Sequence, residues 1–116
     1  MASRRQRKVA DLIHETVSDL LGRKMRDPRL EGVTVTAVQV TADLQLATVF
    51  YSVLDVTDEE QREVQAGLDH ASGYLRREVA RALSLRYTPQ LVFRLDESLV
   101  AGQRIEQLLN SLRDDE

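Results

Sequence analysis

Residues 68–83 read LDHASGYLRREVARAL, and the fold turns on how this stretch is read. With Val64 upstream, its apolar positions Leu68, Ala71, Leu75, Val79, Ala82 and Leu83 keep the spacing of one helix face. Gly73 interrupts it, and a glycine in a helix interior costs about 1 kcal/mol relative to alanine. One helix from Thr57 or Asp58, either a good N-cap, to Leu85 would hold roughly 25 residues and reach close to 40 Å. A domain of this size has a radius of gyration of only about 13 Å. The spacing therefore predicts two shorter helices with a bend at Gly73. On a wheel of 100° per residue, Gly73, Arg77, Arg81 and Ser84 share a sector of about 80°, opposite much of the apolar stripe. A bend there would set free N–H groups and a backbone without Cβ beside Arg76, Arg77 and Arg81, a landing point for a phosphate.

Outward from this stretch the elements follow in order. Residues 4–25 carry Val9, Leu12, Ile13, Val17, Leu20 and Leu21 at helical spacing, with Ser3 as N-cap and Asp27-Pro28 as the stop. GVTVTAVQVT (32–41) is β-branched and largely alternating, and its apolar phase shifts between Val35 and Val38, predicting a strand with either a bulge or burial on both faces. ADLQ (42–45) reads as a turn and LATVFYSVL (46–54) as the second strand of a hairpin. A third strand is expected at Leu91–Leu95 after Pro89, and a last helix from about Ser98 with Ile105, Leu108, Leu109 and Leu112 on one face. Helices packed on one small sheet make an α+β domain, and strands two and three, joined through helix, would run parallel if neighbours.

The 116 residues suit one domain, with 42% hydrophobic and 30% charged residues. No apolar run can span a bilayer, no secretory signal is visible, and there is no cysteine for a disulfide, a thiolate metal site or a thiol nucleophile. The net charge of −3 hides a strong segregation. Residues 1–30 carry +4, residues 31–70 carry −7, residues 71–95 carry +4 and residues 96–116 carry −4. Such a chain can present one face to an anion and keep another away from it. Arg23, Lys24, Arg26 and Arg29 suit a helix C-terminus, but Arg4, Arg5, Arg7 and Lys8 stand at the wrong end for the dipole. Stability does not explain them, and a partner with negative charge would. Of the aromatic residues, Phe50, Tyr51 and Phe93 fall inside strands, which leaves Tyr74 and Tyr87 as stacking platforms.

The order α-β-β-α-α-β matches the type II KH fold, and Ala71-Ser72-Gly73 resembles the Ala-x-Gly kink of the ribosome-binding factor A family. RRQRKVADLIHETVSDLL, RDPRL at 26–30, the VTVTAVQVTADLQLATVFYSVL hairpin, ASGYLRREVARAL and PQLVFRLDESLVAGQRIEQLL are similar to that family in the same order. The resemblance implies one KH-like RNA-binding domain over residues 1–116, with a kinked helix pair, a three-stranded sheet and a C-terminal helix. It further implies a cytoplasmic, monomeric assembly factor without cofactor or membrane. Its partners would be the free small (30S) ribosomal subunit and 16S rRNA, with ribosomal proteins as further contacts. Its role would be late maturation and 5′-end processing of that RNA, linked to growth in the cold.

Ordinary KH domains clamp nucleotides with a Gly-x-x-Gly loop. None occurs here, so backbone and shape recognition is expected instead. The expected RNA-binding residues are Arg4, Arg5, Arg7, Lys8, Arg23, Lys24, Arg26, Ala71, Ser72, Gly73, Arg76, Arg77 and Arg81. An enzyme is not expected. His14 and His70 stand alone on helices, and no Gly-rich nucleotide loop is present. The competing classes are a protein–protein module using the acidic 31–70 face and a generic nucleic-acid or duplex-DNA binder.

Overall fold

Each helix begins where a side chain can close its first turn. In the computed structural model, which describes residues 2–23, 25, 27–84, 86–98 and 109, α1 runs Arg4–Arg23. The Ser3 hydroxyl accepts from the Gln6 N–H at 3.1 Å, and the Gln6 side chain accepts from the Ser3 N–H at 2.8 Å. This reciprocal box satisfies two backbone donors that would otherwise be left over. Val9, Ala10, Ile13, Val17 and Leu20 form the buried face of α1, Leu21 packs half-buried beside them, and Leu12 lies at its margin, 37% exposed. A single 3-10 turn at Pro28–Leu30, capped by Asp27, then leads into the sheet.

Strand β1 (Thr34–Val40) pairs antiparallel with β2 (Leu46–Ser52), and β2 pairs parallel with β3 (Gln90–Leu95), in the order β1-β2-β3. The register shifts between Val35 and Ala37, where the broken apolar alternation places a bulge at Thr36. Val35, Val38 and Val40 lie opposite Tyr51, Val49 and Ala47, so the apolar set returns to one face after the extra residue. Leu91 and Phe93 of β3 continue that face. Both helices cover it.

The helix of 68–83 departs from expectation. α2 is one helix of 26 residues, Asp58–Leu83, and runs through Ala71-Ser72-Gly73 without interruption. The backbone N–H groups near Gly73 are spent within the helix, and there is no internal helix start to hold an anion. The reason lies in what is buried. Val64, Leu68, Ala71, Leu75 and Val79 are all seated in the core, a span of about 22 Å along a helix. That matches a seven-residue strand, about 23 Å long, so α2 can be straight where it is packed and project at its ends. Core contacts on both sides outweigh the local penalty of the glycine. The expected C-terminal helix, with Ile105, Leu108 and Leu112, lies outside the described residues except at Glu97–Ser98 and at Leu109.

A polar cluster locks α2 onto the sheet. Tyr51 is fully buried; its hydroxyl donates to Gln65 Oε1 at 2.6 Å and accepts from Gln61 Nε2 at 3.1 Å. Gln65 Nε2 in turn donates to the Phe93 carbonyl at 2.9 Å and to Asp69 Oδ1 at 3.0 Å. Burial pushes the Tyr51 phenol above its ordinary pKa. Leu30 adds a second anchor by resting on Gly67, where an added Cβ would lie 3.2 Å from Leu30 Cδ2.

Candidate nucleic-acid interface

Four contacts bring separate stretches to one end of the molecule. In the first turn of α1, Gln6 Nε2 donates to the Val40 carbonyl at 2.9 Å, which ties that helix start to the end of β1. The turn between β1 and β2 follows, and its Gln45 carbonyl accepts from the Gln90 N–H at 2.8 Å, where β3 begins. Arg76 Nη2 donates to the Thr88 carbonyl at 2.9 Å and so fixes α2 to the loop before β3. Finally, Ser3 and Arg5 share a cleft with residues 42–45, Arg86 and Tyr87. The start of α1 and the last turns of α2 are therefore neighbours.

This end gathers cations. Arg4, Arg5, Arg7 and Lys8 are exposed and form no ion pair with another described residue, and the same holds for Arg77. Arg81 is exposed and touches Glu78 at 3.3 Å, an i,i+3 contact in water that neutralises little. Arg76 has one guanidinium nitrogen engaged on Thr88 and remains exposed. The positive end of the α1 dipole adds to them. Asp43 is a nearby carboxylate. It is held below the ordinary carboxylate range by the Thr41 hydroxyl and then by the Gln45 N–H, so it keeps its charge.

The other expected residues divide. Ala71 is buried against the core and cannot meet a partner directly, a correction that follows from its place on the apolar stripe. Ser72 is half-buried and returns its hydroxyl to the Asp69 carbonyl at 2.8 Å, the kind of back-bond that bends a helix slightly without breaking it. Gly73 is exposed, with nothing within 4 Å of a would-be Cβ, so it leaves bare helix backbone beside Arg77. Arg23 closes α1 at its far end, about 29 Å from Arg4 along the helix axis. It pairs with Asp19 at 3.0 Å and so belongs to a different end. Lys24 and Arg26 lie outside the described residues. Of the two expected platforms, Tyr74 packs half-buried against the core, while Tyr87 is 73% exposed. Sequence reasoning passed over Arg86, whose guanidinium stands 5.6 Å from the Tyr87 ring centre. An arginine directly before an unpatterned tyrosine was the available signal.

The opposite end is acidic. Asp58, Glu59 and Glu60 open α2 beneath a Thr57 capping box, and Glu31 and Glu63 lie nearby around a shallow hollow with Pro28, Val53 and Val56. There Arg29 turns back on Asp27, with Nη2 to Oδ2 at 2.7 Å and Nε to Oδ1 at 3.1 Å. That pair holds the Asp27 carboxyl below its ordinary range and leaves Arg29 little charge to offer. No group of three or more His, Cys, Asp or Glu side chains fit to hold a metal ion occurs among the described residues.

Comparison with known proteins gives one answer. The sequence model of ribosome-binding factor A matches residues 5–109. Ribosome-binding factor A of Enterococcus faecalis is 44% identical over 116 residues, covering 100% of both chains. The crystal structure of ribosome-binding factor A from Thermus thermophilus shares the fold at 22% identity, with a TM-score of 0.68 over 78% of this chain and 94% of that one. A homology model of the Thermus thermophilus factor, fitted into a cryo-EM map of its 30S complex, aligns at 21% identity with a TM-score of 0.60, over 84% of this chain and 97% of that one. The chain belongs to the ribosome-binding factor A family.

Proposed function

We propose that this chain is a ribosome assembly factor that binds the free small subunit through 16S rRNA and assists late maturation of that RNA, including its 5′ end. It acts by binding, without covalent chemistry of its own. The observation that carries the reading is the basic end, to which α1 contributes Arg4, Arg5, Arg7 and Lys8 and α2 contributes Arg77 and Arg81, more than 60 residues later in the sequence. The family supports the ribosome as the partner, and the Thermus thermophilus relative has been fitted into the map of a 30S complex.

Unpaired arginines and lysines beside a helix start and bare backbone at Gly73 suit the phosphates of a folded RNA, read by shape rather than by base. Asp58, Glu59, Glu60 and Glu63 at the far end would repel the same RNA and face basic ribosomal proteins. Binding of this kind weakens steeply with salt.

Co-sedimentation with purified small subunits, large subunits and whole ribosomes at low and moderate salt tests the reading. Selective, salt-weakened retention on free small subunits is expected. The double variant R77E/R81E should stay folded and lose about tenfold or more in that binding. Equal binding to all three particles, or a folded double variant that binds undiminished, removes the basic end from the assignment.

A further inference from the structure

The cleft between the start of α1, the β1–β2 turn and the loop after α2 has a use that phosphate attraction alone does not explain. It encloses about 260 Å³ and is lined by Arg5, Asp43, Leu44, Gln45, Arg86 and Tyr87, among others. That is below the roughly 300–1,000 Å³ of pockets that enclose drug-sized ligands, and it has the scale of a single base with its sugar. The larger hollow, about 580 Å³, lies by Asp96 and Glu97, where a phosphate would meet carboxylates.

Three features of the small cleft need a partner. Tyr87 is 73% exposed, the most exposed large apolar side chain among the described residues. Its ring carries the Arg86 guanidinium 5.6 Å from the centre, so one face is already used by a cation and the other is open. Leu44, in the wall, is held at φ 60, a left-handed backbone that disfavours a residue with a Cβ by about 1–2 kcal/mol. Ser84, two residues before Arg86, is held at φ 48. Leu44 turns the chain at a wall of the cleft, and Ser84 is the left-handed cap that closes α2.

Resting on the assignment of an RNA-binding end, we infer that this cleft receives one unpaired nucleotide of single-stranded RNA. The base stacks on the free face of the Tyr87 ring, sandwiched opposite Arg86. Its flanking phosphates lie against Arg5 and Arg86. The Asp43 carboxylate can only accept hydrogen bonds, so it turns the phosphate away and takes a donor edge, a ribose 2′-hydroxyl or an exocyclic amino group. A ring face is common to every base, so the site is tolerant of sequence.

The test uses the full chain, a ten-nucleotide uridine RNA carrying 5-iodouridine at its centre, and uridine monophosphate as the free-nucleotide control. Stacking on one aromatic ring contributes about 1–3 kcal/mol, so Y87A should weaken RNA binding by roughly 5- to 150-fold. Y87F should bind within about twofold of the parent, because the ring and not the hydroxyl is used. The salt slope should be unchanged in Y87A, which removes no phosphate contact, and the photo-crosslink should map to Tyr87. Y87A that binds like the parent, or a crosslink elsewhere, overturns the site; if R77E/R81E still weakens binding, the basic end survives that result. Uridine monophosphate binding as tightly as the RNA also overturns it, since the cleft would then be a free-nucleotide pocket. Tyr87 is largely exposed, so equal melting temperatures for the three proteins are expected and separate lost contact from lost fold.

Discussion

The two long helices begin alike and mean different things. α1 and α2 each start on a capping box, Ser3 with Gln6 and Thr57 with Glu60. The α2 start then carries Asp58, Glu59 and Glu60, the charges that its dipole favours. The α1 start has no acidic residue in its first turn and carries Arg4, Arg5, Arg7 and Lys8 instead. One helix start obeys stability; the other works against it. The same contrast extends over each end. Around α2's start, Arg29 is bound to Asp27 and Leu30 is seated on Gly67. Around α1's start stand unpaired cations, a leucine at positive φ, an exposed tyrosine and, further along α2, an exposed glycine. Stability explains the acidic end; it does not explain the basic one, and the proposed binding would.

Exchanging the charges breaks the comparison if it is wrong. Replacing Arg4, Arg5, Arg7 and Lys8 by glutamate should weaken small-subunit binding by about 10²-fold or more at 0.1 M salt and flatten the salt slope by about three units. The same variant should be more stable, by roughly 1–2 kcal/mol, because each new carboxylate suits the dipole. Replacing Asp58 and Glu59 by lysine should do the reverse, with about 1–2 kcal/mol lost and binding held or improved. Thermal unfolding and co-sedimentation on one set of proteins give both readouts. Binding and stability falling together in the first variant would show that its cations are structural.

Much of this plan was legible from residues alone. The hairpin followed from alternation, and the phase change between Val35 and Val38 left a bulge or burial on both faces open; the sheet has one buried face, so the slip is taken up locally as a bulge at Thr36. Thr57 was readable as one of two caps, and β3 as parallel to β2 once the two are neighbours. The continuity of α2 was not, since a propensity penalty is local and the burial that overrides it is tertiary. Arg4 and Arg23 were placed at opposite ends of one helix from the sequence, but that Arg23 is paired with Asp19 there was not legible. Gly67 gave no signal at all, because its role depends on where Leu30 lands from another part of the chain. The cleft at Tyr87 was half visible: the tyrosine could be named, but its walls come from three segments distant in sequence.

The two glycines of α2 sharpen the contrast at a smaller scale. An alanine at Gly73 meets nothing within 4 Å, so Gly73→Ala should stabilise the protein by about 0.5–1 kcal/mol. If RNA backbone approaches there, the same change weakens small-subunit binding. At Gly67 the new methyl would sit 3.2 Å from Leu30 Cδ2 and 3.4 Å from Arg29 Nε. The gain in helix propensity should then be offset by displacement of those side chains, leaving stability within about 0.5 kcal/mol of the parent. Denaturant midpoints for the two variants decide the matter. Equal gains at both positions would mean that Gly67 is not a packing site.

The last contrast is between two carboxylates, one at each end. Asp27 lies below its ordinary value of 3.8 chiefly through the Arg29 side chain, and Asp43 chiefly through the Thr41 hydroxyl. Both folded-state pKa values are depressed. Each contribution is therefore present above the unfolded value and is lost as pH falls through the folded one. Melting temperature should decline below about pH 4, and less steeply in D27N, which keeps an oxygen for the Arg29 N–H but has no charge to lose. D43N should share that flattening and differ in binding. D43N replaces the carboxylate that takes the donor edge of the nucleotide with a weaker acceptor, so RNA affinity at neutral pH should fall slightly in D43N and stay level in D27N. An increase in both would mean that the charge of the whole molecule, rather than its arrangement into two ends, governs binding.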